Sequence, residues 1–70
     1  MNDEQNNFGA HVKTVRSQLK LSQEDFAHAL GVSFATVNRW ENGKTSPSKL
    51  AKKQFVSFCK EQREKGALHD

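Results

Sequence analysis

The sequence predicts an all-α domain, and three observations lead to that prediction. Apolar residues recur at spacings of three and four, which is the period of a helix. Serines that can cap a helix and glycines that can end one separate most of the apolar segments. No segment alternates apolar and polar residues over enough positions to form a strand. We therefore expect a compact fold of four helices with a long fourth helix, at about residues 7–20, 23–30, 34–42 and 47–65.

The first predicted helix follows from a single apolar stripe. The stripe has spacings of four, three and four, and it consists of Phe8, Val12, Val15 and Leu19. Residues 1–6 are polar and terminal, and we predict that they form a disordered tail.

The second and third predicted helices carry the same signals at their ends. Ser22 and Ser33 stand at the N-cap positions, where a hydroxyl accepts a hydrogen bond from a free backbone N–H. Gly31 is expected to end the second helix, and Asn42-Gly43 the third. The side chains expected to face the core are Phe26, Ala27, Leu30, Val37 and Trp40.

The fourth helix is expected to begin at Ser46-Pro47. Ser46 would be its cap, and Pro47 would take the first helical position, where a backbone N–H needs no partner. Gly66 is expected to end the helix, and residues 66–70 to form a C-terminal tail. Lysines cover one side, and a looser apolar stripe covers the other: Leu50, Phe55, Phe58 and Cys59.

The composition excludes several classes of protein. One cysteine allows neither an intramolecular disulfide nor a thiolate metal cluster, which favours a reducing, cytoplasmic compartment. No apolar run approaches the roughly 18 residues of a membrane span, and the polar N-terminus is unlike a signal peptide. His11, His28 and His69 do not share a metal-ligand spacing. We expect no metal and no cofactor.

The charge of the chain is unevenly distributed. The net charge is +3. Residues 1–25 contain three basic and four acidic side chains, whereas residues 44–65 contain seven basic and two acidic ones. A one-sided basic excess favours a polyanionic partner. A solvated, lysine-rich helix is the alternative explanation.

The connection between the second and third helices predicts a steep corner. Only Gly31 and Val32 separate the end of one helix from the cap of the next. Ala27 is small where the two axes approach each other, and Val37 and Trp40 close the angle. This is the helix-turn-helix arrangement, in which the second helix can enter the major groove of DNA.

Residues 12–51 resemble the lambda-repressor-like (Cro/repressor-type, XRE-type) helix-turn-helix family of bacterial and phage DNA-binding proteins. The motifs LSQEDFA, LGVS, VNRWENG and SP carry the resemblance at their spacings. The resemblance implies a nucleoid-associated transcriptional regulator that binds double-stranded DNA in a sequence-specific manner. A monomer with few contacts would bind weakly, so we expect either a homodimer on DNA or a larger parent protein that supplies avidity. Many family members have a fifth helix that often serves in dimerisation. This chain instead continues from a long fourth helix into a polar tail.

The resemblance also implies a role for each residue that matches the family's motif. The residues implied to contact bases are Phe34, Ala35, Asn38 and Arg39. The residues predicted to contact phosphates are Gln23, Ser33, Thr36, Asn42 and Lys44. Arg16 and Glu41 match a buried ion pair between the first helix and the end of the third.

The outward face of the third helix supports these roles independently. If Val37 and Trp40 point inward, Asn38 and Arg39 lie on the opposite arc. The guanidinium of Arg39 fits guanine O6 and N7, and an asparagine can pair with adenine through two hydrogen bonds. No residues form a catalytic constellation, so we do not expect an enzyme. Cys59 is expected to fill space in the core.

Phe34 and Ala35 are unusual at the tip of a helix that reads DNA, and three interpretations are open. The apolar pair could contact thymine methyl groups. Phe34 could instead fold back onto the second helix or the turn and support the fold. The tip could also bind a protein, which keeps an alternative function open: a protein-interaction module, such as an adaptor or an antitoxin.

Overall fold

The computed structural model describes the backbone of residues 4–69 and the side chains of residues 8–69. This part of the chain contains four helices and no strand, which confirms the predicted all-α class. Within it, no helix is long and apolar enough to cross a lipid bilayer. The helices are α1 (Glu4–Gln18), α2 (Gln23–Leu30), α3 (Phe34–Glu41) and α4 (Lys49–Glu64).

Both ends of α2 and the start of α3 form as the sequence predicts, whereas α3 ends at Glu41, one residue earlier than expected. The Ser22 hydroxyl accepts a hydrogen bond from the Asp25 backbone N–H at 3.0 Å. The Ser33 hydroxyl accepts one from the Thr36 N–H at 3.1 Å. Gly31 then ends α2 at φ 85°, in the left-handed region that glycine adopts without a steric penalty. The chain can therefore turn sharply within three residues, which brings α3 against α2.

The bounds of α1 differ from the prediction at both ends. Residues 4–6, which were expected in the disordered tail, are helical. Phe8 anchors this end of the helix in the core, and the glutamate and glutamine before it have good helix propensity, so the helix extends upstream. Residues 1–3 lie outside the described part. At the other end, Lys20 has φ 58° and the Leu21 N–H bonds to the Arg16 carbonyl, which closes the helix two residues earlier than expected.

The start of α4 corrects the sequence prediction. Ser48, and not Ser46, is the N-cap, because its hydroxyl accepts the Ala51 N–H at 3.1 Å. Pro47 therefore precedes the helix. The apolar stripe shifts in consequence: Ala51 joins Phe55 and Cys59 in the core, at spacings of four residues. Leu50, which was predicted to face inward, is 67% exposed.

The C-terminal segment is also corrected. Gly66 has φ 78° and ends α4, as expected. The next residues do not form a free tail, because Leu68 is buried and its N–H bonds to the Gln62 carbonyl. Leu68 lines a shallow pocket with Val15 of α1. The left-handed turn at Gly66 returns the chain toward the core, where Leu68 packs.

The core lies where the four helices meet. Trp40 is 2% exposed, which confirms its expected place in the core. Phe8 packs edge-to-face on Trp40 and on Phe55, with ring centroids 5.2 and 5.3 Å apart. The other buried apolar side chains are Val12, Val15, Phe26, Ala27, Leu30, Val37, Ala51, Cys59 and Leu68.

Gly9 is a point of close approach between the backbones of α1 and α3. A methyl group at this position would clash with the carbonyl oxygen of Trp40 and lie 3.1 Å from its carbonyl carbon. The glycine therefore lets the backbone of α1 touch the last turn of α3. This contact places α1 behind the outward face of α3.

Candidate nucleic-acid interface

The outward face of α3 presents a mixture of apolar and basic side chains. Val37 and Trp40 hold the opposite face in the core. Ala35 and Arg39 are exposed, and the Phe34 side chain is 49% exposed. Asn38 lies beside them and is half-buried. The four predicted base contacts therefore occupy one continuous arc.

The position of Phe34 bears on the three interpretations of the apolar tip. Among the described side chains, those that form the core or pack against it do not include Phe34. Val32 takes the supporting place instead and packs on the core from the turn. Phe34 therefore presents apolar surface outward, and its contact with a thymine methyl or a protein stays a prediction.

Arg16 and Glu41 form the ion pair that the resemblance implies. Arg16 Nε donates to Glu41 Oε2 at 2.7 Å, and Nη2 donates to Oε1 at 3.0 Å. The third guanidinium nitrogen, Nη1, donates to the Leu21 carbonyl at 2.9 Å. The side chains are 18% and 4% exposed, so this is a largely buried, two-pronged pair. It fastens α1 and the α1–α2 connection to the last residue of α3.

The protonation of this pair follows from its surroundings. Burial disfavours the charged carboxylate of Glu41 and is the largest single influence on its pKa. The hydrogen bonds from Arg16 and Gln23, with the positive charges of Arg16 and Lys13, together outweigh it, so the pKa of Glu41 is lowered. The hydrogen bond to Glu41 raises the pKa of Arg16 in turn. Both groups are therefore charged at neutral pH.

Three amide side chains connect this ion pair to the outward face of α3. Gln23 Nε2 donates to Glu41 Oε1 at 3.0 Å. Asn38 Nδ2 donates to Gln23 Oε1 at 3.2 Å, and Asn42 Nδ2 donates to Asn38 Oδ1 at 3.0 Å. We refer to Gln23, Asn38 and Asn42 as the amide relay. The amide relay joins Asn38, a predicted base contact, to Gln23 and Asn42, which are predicted phosphate contacts.

The remaining predicted phosphate contacts lie at the two ends of α3. The hydroxyls of Ser33 and Thr36 are 2.9 Å apart and bond to each other at the N-terminus. Lys44 is exposed after the C-terminus, where its N–H bonds to the Arg39 carbonyl. Phosphates suit the N-terminus of a helix and a nearby lysine, so both ends can contact the backbone of DNA.

Two features of this site were not predicted from the sequence: the close approach at Gly9 and the amide relay. Gly9 stands inside an apolar helical stripe, and an isolated glycine there is a signal of close backbone approach. The bond between Asn38 and Asn42 was open to prediction from their spacing of four on one helix. The hydrogen bond between Asn38 and Gln23 could not be predicted from spacing, because it joins two helices. Within residues 8–69, no three histidine, cysteine, aspartate or glutamate side chains form a group that could hold a metal ion.

Comparison with known families identifies the fold. Residues 12–51, more than half of the chain, match the helix-turn-helix family model of the XRE and lambda-repressor-like type. The chain belongs to this helix-turn-helix family. The resemblance found in the sequence is thereby confirmed, and the domain is a DNA-binding helix-turn-helix.

Two curated relatives match most of the chain. The chain is 38% identical over 55 residues to the type II methyltransferase M.SsoII of Shigella sonnei, and 38% identical over 50 residues to the type II methyltransferase M1.ScrFI of Lactococcus lactis subsp. cremoris. The alignments cover 74% and 67% of this chain but only 14% and 13% of the relatives. The chain thus spans about one seventh of their length. No solved structure matches.

Proposed function

We propose that this chain binds double-stranded DNA in a sequence-specific manner, with α3 in the major groove, and that it regulates transcription. The observation that carries the proposal is the outward arc of α3, where Arg39 and half-buried Asn38 stand beside Phe34 and Ala35. The proposal includes a homodimer on DNA and a cytoplasmic, nucleoid-associated location. It assigns binding to the chain and no catalytic step.

Charge and geometry support major-groove binding. The two ends of α3 offer hydroxyls, backbone N–H groups and Lys44 to phosphates, while its middle offers Arg39 to a base edge. Arg39 can donate two hydrogen bonds to guanine. Phe34 and Ala35 can pack on the C5-methyl of thymine. We therefore expect half-sites that contain G and T at neighbouring positions.

The salt dependence of binding tests the proposal. A monomer that contacts about four to six phosphates should lose affinity as the salt concentration rises, with a log–log slope of about −0.9 per phosphate, which is about −3.6 to −5.4. Fluorescence anisotropy on random duplexes and on duplexes selected from a random pool measures this slope. A dyad in the selected sequences would report a dimer. No binding at low salt would contradict DNA binding and favour the protein-interaction alternative.

Arg39→Ala tests the readout. The variant should fold normally, because Arg39 is exposed, and should lose about 1–3 kcal/mol of discrimination at one base pair. Repeating the selection with the variant measures the change in preference. Lys60→Ala, which removes a positive charge at an exposed position on α4, is the control and should keep the wild-type preference. An unchanged preference in Arg39→Ala would remove Arg39 from the readout.

The two curated relatives favour a second candidate role. Because both are named as type II methyltransferases, the chain could serve as the DNA-binding part of such an enzyme. A reporter gene with the selected site across its promoter separates the two roles. Expression of the chain alone should change reporter output if it is a regulator. Unchanged output, with binding intact in solution, would favour the methyltransferase role.

A further inference from the structure

The amide relay has a direction, and one end of it determines that direction. An ionised carboxylate only accepts hydrogen bonds, whereas an amide can both donate and accept. Glu41 therefore requires the nitrogen of Gln23 to face it, which turns the Gln23 oxygen toward Asn38. Asn38 must then direct its nitrogen at Gln23 and its oxygen at Asn42.

The ion pair holds that end of the relay in place. Arg16 donates to both oxygens of Glu41 and so keeps the carboxylate charged and oriented. The Glu41 side chain is 4% exposed, which leaves little room for water to replace Gln23. Reversal of any amide would leave two nitrogens or two oxygens facing each other. The relay is therefore a cooperative unit with one favoured direction.

We propose that Glu41 is a positioning residue for DNA readout: through Gln23 it fixes which atoms Asn38 and Asn42 present on the outward face of α3. Each amide has two N–H donors and two acceptor positions on its oxygen. The relay uses one donor and one acceptor of Asn38, and one of each remains. A donor and an acceptor side by side are what an adenine requires. The readout by Asn38 rests on the proposed function; the direction of the relay does not.

Gln23→Met is the decisive variant. It removes the amide that links Glu41 to Asn38, at similar side-chain volume, and it leaves both hydrogen bonds between Arg16 and Glu41 in place. The side-chain N–H₂ signals of Asn38 and Asn42 in a ¹⁵N spectrum of the free protein should move toward the positions of solvent-exposed amides. Discrimination at the base pair that faces Asn38 should fall about tenfold, within the range of one bidentate contact. The measurement is this ratio between duplexes and not the overall affinity, since Gln23 is also a predicted phosphate contact and its loss should weaken binding to every duplex.

Glu41→Gln tests the direction itself. The variant keeps three amides but replaces the acceptor-only end with a group that can donate, so the Asn38 signal should double or average between two orientations. Gln54→Met, at an exposed position on α4, is the control for Gln23→Met, because it makes the same replacement outside the amide relay. It should change neither the side-chain signals of Asn38 and Asn42 nor the base preference. If Glu41→Gln does not fold, the Gln23→Met spectrum decides alone.

The outcomes distinguish a failure of the proposed DNA binding from a failure of the proposed role of Glu41. Wild-type signals for Asn38 and Asn42 in Gln23→Met would overturn the relay, whatever the DNA result. If the signals of Asn38 and Asn42 move but discrimination at the base pair that faces Asn38 is unchanged, the amide relay has no part in DNA readout. If the wild-type chain binds no duplex, the proposed function fails, and the spectra of the free protein still decide whether Glu41 directs the relay.

Discussion

Glu41→Ala should destabilise the fold by about 3–5 kcal/mol, because it leaves the largely buried Arg16 guanidinium without its anion. It also removes the acceptor of Gln23. In a domain of this size, such a loss corresponds to a fall in melting temperature of about 15 °C or more. Thermal unfolding followed by circular dichroism measures it. Glu61→Ala, at an exposed position on α4, should change stability by no more than about 0.5 kcal/mol.

A double substitution distinguishes the loss of the ion pair from the effect of leaving one buried charge without its partner. Arg16→Met with Glu41→Leu replaces both charges by apolar side chains of similar size and should recover most of the stability that Glu41→Ala loses. A double variant as unstable as Glu41→Ala would mean that the pair itself, and not an orphaned charge, carries the effect.

The same pair predicts how stability depends on pH. The folded-state pKa of Glu41 is lowered, so its unfolded-state value is the higher of the two. The pair therefore contributes fully above the ordinary glutamate range, and this contribution is lost as the pH falls through the lowered folded-state pKa. Denaturant unfolding at a series of acidic pH values should show this component in the wild type and not in Glu41→Gln. Parallel curves for the two proteins would contradict it.

Gly9→Ala should also destabilise the fold strongly, by about 3 kcal/mol. The new methyl group meets the Trp40 backbone, so α1 and α3 must separate. Overpacking of a core costs typically 1–3 kcal/mol, and a clash between two backbones lies at or beyond the upper end. The better helix propensity of alanine returns up to about 1 kcal/mol. Urea unfolding measures the net change.

Ala10→Gly provides the matched control for Gly9→Ala in the same helix. Ala10 is exposed, so this substitution tests helix propensity alone and should cost about 1 kcal/mol. Alanine is thus expected to be the better residue at position 10 and the worse one at position 9. If Gly9→Ala were stabilising, α1 and α3 would not approach each other through this glycine.

Several parts of the fold were determined by local sequence. Ser22 and Ser33 cap their helices with their own hydroxyls, and Gly31 ends α2 in a backbone conformation that few other residues adopt. These interactions span three or four residues, so the sequence order specifies them. The helical spacing of Val37 and Trp40 likewise determined which face of α3 is buried, and hence which face is free to bind DNA.

Other parts were decided only by tertiary structure. Ser46 and Ser48 are both suitable caps, and Ser48 caps α4 in the structure, where Ala51 lies inward and Leu50 outward. Leu68 follows a helix-ending glycine, and only the proximity of α1 makes it a core residue. In each case the local signal permits two answers, and contacts with distant residues select one.

The candidate site likewise has some features that follow from the sequence and others that depend on tertiary contacts. The helix-turn-helix, the outward arc of α3 and the partners in the ion pair were predictable from the sequence, because periodicity, caps and family motifs carry that information. Tertiary structure alone decided that Gln23 bridges Glu41 and Asn38, and that Gly9 lets α1 touch α3. The physical reason is distance along the chain: these contacts join residues 15 or more positions apart, where no local spacing rule applies.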